Sequence, residues 1–219
     1  MYNTLCYALH GQGKIVLCVA SSGIASLLLI GCRTAHSTLK IPIEIHEGST
    51  CSIGRNSDLS KLIRVADLVI WDEAPMQEHH VHEAVDRSFR GVLRCDHKPS
   101  GGLCVVFGGV SKQILPVIIK GSCAEIVGAC LQRSRLWLDI KALKLTNNMC
   151  LNTDVQAERD FSKWQLEVGH GQHTDDLGKI TLPDHFKCTE NTVASLIQTI
   201  YPAINSLPLP PDSYVAEQK

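Results

Sequence analysis

Prolines number only 9, no two of the 10 cysteines form a CxxC pair, and acidic and basic residues nearly cancel at 22 against 21. With 44% hydrophobic and 20% charged residues, this scarcity of proline excludes collagen-like, low-complexity and wholly disordered architectures. A formal charge of -1 gives no overall attraction for a polyanion, so any nucleic-acid contact must be local. Ten cysteines in 219 residues fall below the roughly 8 to 10% typical of disulfide scaffolds. They read as small buried hydrophobes in a reducing, intracellular setting. The first residues lack a basic start and a cleavable apolar run, so no secretory signal is read there. Residues 15–32 carry no charge between Lys14 and Arg33, which is about the minimum length of a membrane span. Ser21, Ser22, Gly23 and Ser26 break that stretch into a strand, a turn and a helical run from Ile24, the form of a soluble core. No membrane partner is expected.

At about 150 residues per domain the chain predicts one to two domains. Three short runs rich in Val, Ile and Leu, at 15–19, 68–71 and 103–107, are continuous rather than alternating. That pattern belongs to strands buried on both faces, as in a parallel sheet covered by helices, an α/β fold. Helices are expected over 2–9, ending at Gly11 to Gly13, and over 78–93 after Pro75. Residues 40–56, rich in Pro, Gly, Ser and Thr, predict a surface excursion, and 95–102 a loop. Beyond Leu151 the chain turns more polar. Phe161, Trp164 and Val168 predict one helix, 192–204 another, 169–188 a loop, and the prolines of 207–212 a linker. The expected organisation is an α/β domain over 1–150 and a helical and loop segment over 151–219.

Chemistry concentrates at the ends of the strands. In Leu68-Val69-Ile70-Trp71-Asp72-Glu73 two acids appear together at the carboxyl end of a buried strand, where open α/β sheets bind ligands. There Asp72 suits a Mg²⁺ ion and Glu73 a water that attacks a γ-phosphate. The alternative is that both are solvated acids at a helix start. Gly108 and Gly109 follow the third strand and let backbone approach a ligand, with Gln113 beyond as a γ-phosphate sensor; a plain turn is the alternative. Ser21, Ser22 and Gly23, then Thr34, His36 and Ser37, offer phosphate contacts to single-stranded nucleic acid, or simply caps. His79, His80 and His82 beside Glu78 and Glu83 resemble a metal cluster, but the three histidines lack i, i+4 spacing, so a solvated helix surface is expected.

In order, the strings CVASSGIASLLLIGCRTAHS, LVIWDEAPM, VVFGGVSKQILPV and LKLTNNMC resemble motifs of Pif-type ATP-dependent DNA helicases of superfamily one, Helitron transposon helicases especially. The resemblance covers nearly all of 1–150. It implies a RecA-like P-loop NTPase motor domain that hydrolyses ATP with Mg²⁺ and moves 5′ to 3′ on single-stranded DNA. Roles in DNA repair, recombination and telomere maintenance follow, in the nucleus of a eukaryote. By resemblance Asp72 and Glu73 match the Mg²⁺ and water-activating pair and Gln113 the γ-phosphate sensor. Gly108 and Gly109 join the nucleotide site, and Gly23, Thr34, His36 and Ser37 border the DNA path. The oligomeric state is not read.

The departures are as specific as the matches. The 219 residues contain no glycine-rich loop ending Gly-Lys-Ser/Thr, whose amides and lysine hold phosphates in this family. Val110 stands where an acidic residue is expected, Ser111 where an aromatic or similar residue is, and Cys150 where an arginine is. The expectation is a domain incomplete at both ends and catalytically degenerate. An interaction module with an unrelated ligand in the same pocket is the remaining reading.

Overall fold

Each apolar run becomes a strand because helices cover it on both faces. In the computed structural model, which describes residues 1–110, 114–146, 156–183, 186–188, 190 and 192–202, one four-stranded sheet forms. Its strands are β1 (Val16–Ala20), β2 (Arg33–Thr34), β3 (Leu68–Asp72) and β4 (Cys104–Phe107), all parallel, in the order β2-β1-β3-β4. Register aligns Ala20 with both Thr34 and Asp72, and Trp71 with Phe107. All the carboxyl ends therefore meet along one edge. β2 was not foreseen, since two residues without an apolar run leave no periodic signal.

Flanking helices are α1 (Tyr2–His10), α2 (Gly23–Ser26), α3 (Ala35–Leu39), α4 (Asp58–Val65), α5 (His79–Leu93) and α6 (Cys123–Gly128). On one face of the sheet Val19, Val69 and Trp71 pack with Leu39 of α3, Ile63 of α4 and Val81, Val85 and Phe89 of α5. On the other, Cys18, Leu68 and Ile70 pack with Cys6 of α1 and Leu29. Successive residues of β3 thus alternate between two cores, which is why its sequence reads as unbroken apolarity. Trp71 is the hub. It is fully buried, lies 4.8 Å from His82 and 6.0 Å from Phe107 between ring centroids, and its indole N–H donates to Ser21 Oγ at 3.0 Å.

Three expectations need correction. The run from Ile24 makes only the four-residue α2, and Ile24, Leu27 and Leu28 are exposed, because Gly23 and Ser26 leave too little helix to bury an apolar stripe. The 40–56 stretch is not wholly a surface excursion. Ile41, Ser49 and Cys51 are buried, and Cys51 N–H donates to Ser88 Oγ at 2.8 Å while Arg87 donates twice to the Ser49 carbonyl. The helix α4 after it was missed. It starts on a local signal, Ser57 Oγ accepting the Ser60 N–H at 3.2 Å, and carries Asp58 in its first turn and Arg64 in its last, as the helix dipole favours.

The described chain falls into two compact units, Met1–Lys144 and Leu145–Lys219. The second contains α7 (Gln156–Gly169) and α8 (Val193–Ile200). In α7 the rings of Phe161 and Trp164 stack at 5.9 Å and Phe161 meets Phe186 at 4.7 Å, so the amphipathic run forms the helix its spacing calls for. The helix expected over 192–204 is described only to Ile200, and 207–212 lie outside the described residues. Among the described residues no helix is long and apolar enough to cross a membrane. The nine described cysteines are free thiols, of which Cys6, Cys18, Cys51 and Cys130 are buried.

Candidate nucleotide site

The carboxyl edge of the sheet carries a turn that no ordinary strand ending requires. Glu73 leaves β3 with φ 53°, in the left-handed region that costs a non-glycine residue about 1 kcal/mol or more. The turn is tied down on every side. Asp72 Oδ1 accepts the Glu73 N–H at 3.0 Å, the Asp72 carbonyl accepts the Ser21 N–H at 3.0 Å, and Gln77 Nε2 donates to the Ser21 carbonyl at 3.3 Å. Gly108 N–H donates to the Trp71 carbonyl and the Gly108 carbonyl accepts the Ala74 N–H, each at 2.8 Å. The two acids and the glycine pair thereby form one rigid rim, which strand order alone would not guarantee.

Gly109 is sterically required, and a side chain at Gly108 would have to displace Tyr2. Gly109 has φ 136°, and a Cβ there would lie 2.6 Å from Pro75 Cδ and 3.3 Å from Glu73 Cα. A Cβ on Gly108 would lie 1.7 Å from Tyr2 Oη. The start of α1 thus reaches the same rim. Burial, and then the charges of Asp72 and Glu73, push the Tyr2 phenol above its usual range. Cys32, before β2, is pushed up to about 11 by burial first and the Asp72 charge second. Tyr2, Cys32 and Gln77 were not read as site residues and had no local signal; Ser21, read as a candidate phosphate contact after β1, is tied into this rim instead.

Asp72 and Glu73 are half-buried, and Gly108 is buried between them and Tyr2. A carboxylate pair at a strand end, with backbone brought close by two glycines, fits a hard divalent cation carried by a phosphate ligand. Thr34 lies on the same edge, in register with Ala20, and N-caps α3 without a side-chain bond. Gly23 opens α2 behind an N-cap in which Ser22 Oγ accepts the Ala25 N–H at 3.1 Å. His36 and Ser37 sit in the first turns of α3, His36 half-buried with its pKa lowered by burial and Ser37 exposed. Gln113, Ser111 and Cys150 lie outside the described residues.

The histidine group departs from the solvated surface expected of it. His82 and Glu83 are buried and His79 and His80 half-buried, because 129–136 lies across the first turns of α5, where the His79 N–H donates to the Ala129 carbonyl at 2.8 Å.

A parallel sheet flanked by helices, with paired acids and a glycine pair at its carboxyl edge, defines the RecA-like class of nucleotide-binding folds. The family model for PIF1-like helicases matches residues 1–178, and the chain belongs to that family. The fold is similar to that of Pif1 from a Bacteroides species in complex with ADP-AlF4, at TM-score 0.62 and 24% identity over 78% of this chain and 40% of that one. It is also similar to Bacteroides Pif1 with ADP-AlF3 and single-stranded DNA, at 0.61 and 20% over 90% and 49%, and to Pif1 from Candida albicans, at 0.60 and 20% over 84% and 38%. The chain spans less than half the length of each of these structures. No curated protein matches it.

Proposed function

We propose that these 219 residues carry the nucleotide-facing half of a Pif1-type, ATP-dependent DNA helicase, of the Helitron kind and acting 5′ to 3′. The single observation behind this reading is the rim at the carboxyl edge of the sheet, where Asp72, Glu73, Gly108 and Gly109 are locked together. Asp72 holds a Mg²⁺ ion, which when bound neutralises charge on the phosphates. Glu73, its backbone fixed in the left-handed region, orients and polarises a water. Gln113 senses the γ-phosphate. Gly23, Thr34, His36 and Ser37, on the segments that follow β1 and β2, border a path for single-stranded DNA. DNA repair, recombination and telomere maintenance, in a nucleus, are the processes this reading assigns.

Chemistry by these residues alone is proposed to be slow. They contain no Gly-Lys-Ser/Thr loop, and Val110 and Cys150 replace an acid and an arginine that the family uses. An arginine at the γ-phosphate is worth about 10³ to 10⁵ in rate. The expected outcome is Mg²⁺-dependent binding of a fluorescent ATP analogue, weakened about tenfold by Asp72→Asn, with DNA-stimulated hydrolysis near background. Binding unchanged in Asp72→Asn overturns the site. Brisk hydrolysis that Glu73→Gln abolishes overturns the degeneracy while upholding the site.

A further inference from the structure

The start of α5 assembles two imidazoles and a carboxylate that the nucleotide site does not use. One ligand atom from each of His79, His80 and Glu83 lies within 4.8 Å of the others. We infer that His79, His80 and Glu83 form a site for a borderline divalent transition-metal ion of the zinc type on the first turns of α5.

The donor set is the first argument. Two histidines and one glutamate are a recurrent zinc set in which a fourth position is left to solvent. Hydrogen bonding is the second. His79 Nδ1 and His80 Nδ1 are both buried without a hydrogen-bond partner, a condition that calls for an explanation such as an ion. His80 Nδ1 stands 3.6 Å from Glu83 Oε2, too long for a hydrogen bond. It is close to the roughly 3.4 Å separating two ligands that each lie about 2.1 Å from a tetrahedral ion.

The groups behind the ligands are arranged as a metal site requires. Ser134 Oγ donates to Glu83 Oε1 at 2.7 Å, orienting the carboxylate and leaving Oε2 to face His80. On the far side of that imidazole, Nε2 lies 3.8 Å from Glu78 Oε1, beyond hydrogen-bond distance but near enough for the carboxylate charge to favour a cation on the ring's other nitrogen. The adjacent His79 and His80 rings are 4.1 Å apart between centroids.

Two features oppose a cation here. The N-terminus of a helix is its positive end, and Arg87 Nη1 stands 3.9 Å from Glu83 Oε2. The first is offset by Glu78 and Glu83 together. The Arg87 guanidinium is anchored through Nε and Nη2 to the Ser49 carbonyl, at 3.0 and 2.7 Å, but its Nη1 is buried without a hydrogen-bond partner, so an ion has to outcompete it for Glu83 Oε2.

The test is equilibrium dialysis of the purified full chain against Zn²⁺, with Co²⁺ absorption as a report on coordination. The expected result is one tightly held equivalent with a low-coordinate Co²⁺ spectrum. His79→Gln and His80→Gln should each weaken uptake at least tenfold, and Ser134→Ala about tenfold. His97→Gln controls for Cys95 and His97, whose Sγ and Nδ1 are 3.7 Å apart, and should change nothing. Unfolding of each apo variant, followed by circular dichroism, separates lost ligation from lost fold: His80→Gln must melt as the apo wild type does, whereas Ser134→Ala also loses its cap bond to the Leu136 N–H and is compared at a temperature where its apo form is folded. Uptake that survives His79→Gln and His80→Gln, uptake lost in His97→Gln, or no tight equivalent at all overturns the site.

Discussion

Acidification from about pH 7 to about pH 4 should remove about 3 kcal/mol of stability through one side chain, His82. The ring is 1% exposed and wedged against Trp71 at 4.8 Å and Phe107 at 5.3 Å between centroids, the latter edge-on. Neither ring nitrogen has a partner in hydrogen-bond geometry. Burial lowers its pKa from 6.5 to about 4, and the neighbouring Glu78 and Ala74 carbonyls and the Glu83 charge only partly oppose the shift. The folded chain therefore binds this proton less readily than the unfolded chain. Stability is fully present above the ordinary histidine pKa and is lost as the pH falls from there toward the folded value, below which the loss saturates. Glu83, held below its usual pKa, adds a loss of the same sign at lower pH. His82→Phe isolates the effect. It keeps an aromatic ring against Trp71, removes two buried nitrogens and with them about 1 to 3 kcal/mol of desolvation cost, and removes most of the slope above about pH 4, leaving the smaller parts due to His36 and Glu83. Urea melts of both proteins across this range are the measurement. An equal acid slope in the variant would remove His82 as the cause.

This position also marks where sequence reasoning reaches its limit. Continuous apolarity in β1, β3 and β4 located the sheet to within a residue at each end, because a strand buried on both faces has no polar positions to mislead. The paired acids at 72–73 and glycines at 108–109 were legible because their chemistry depends on strand ends, which that apolarity fixes. Histidine carries no such signal. The α5 helix reads HHVHEAVDRSFRGVL, and its first turns are buried by the sheet, where Val81 and His82 meet Trp71, and by 129–136, distant in sequence, whose Ala129 carbonyl and Ser134 hydroxyl bond His79 and Glu83. The same holds for Ser49 and Cys51, which Arg87 and Ser88 tie down by reaching back from α5. Tyr2 at the nucleotide rim is another long-range contact, 106 positions from the Gly108 it touches. Local pattern finds elements and their ends; what packs over them is set by tertiary contacts that a single sequence does not display.

Asp86→Ala should cost about 3 kcal/mol and loosen the nucleotide rim through the opposite end of β4. Asp86 is 6% exposed, on the inner face of α5. Its Oδ2 accepts from Arg90 Nε at 2.8 Å and its Oδ1 accepts the Ser100 N–H at 2.6 Å. The second bond matters for function, because Ser100 and Gly101 both have positive φ in the turn that launches β4. A Cβ at Gly101 would lie 2.9 Å from the Phe89 carbonyl, so the turn is pressed directly onto α5. β4 in turn delivers Gly108 and Gly109. Removing the carboxylate strands an amide and a guanidinium at once, although Arg90 keeps its bond to the Asp96 carbonyl, which places the cost at the lower end for a broken buried pair. Asp86→Asn retains an acceptor for the Ser100 N–H and should cost about 1 kcal/mol. Denaturant melts rank the three proteins. Analogue binding should fall in the same order even though none of the substitutions touches Asp72 or Glu73, since the glycine pair loses its fixed approach before the acids do. Unchanged binding in an Asp86→Ala protein that has lost stability would show instead that the rim is held by β3 alone.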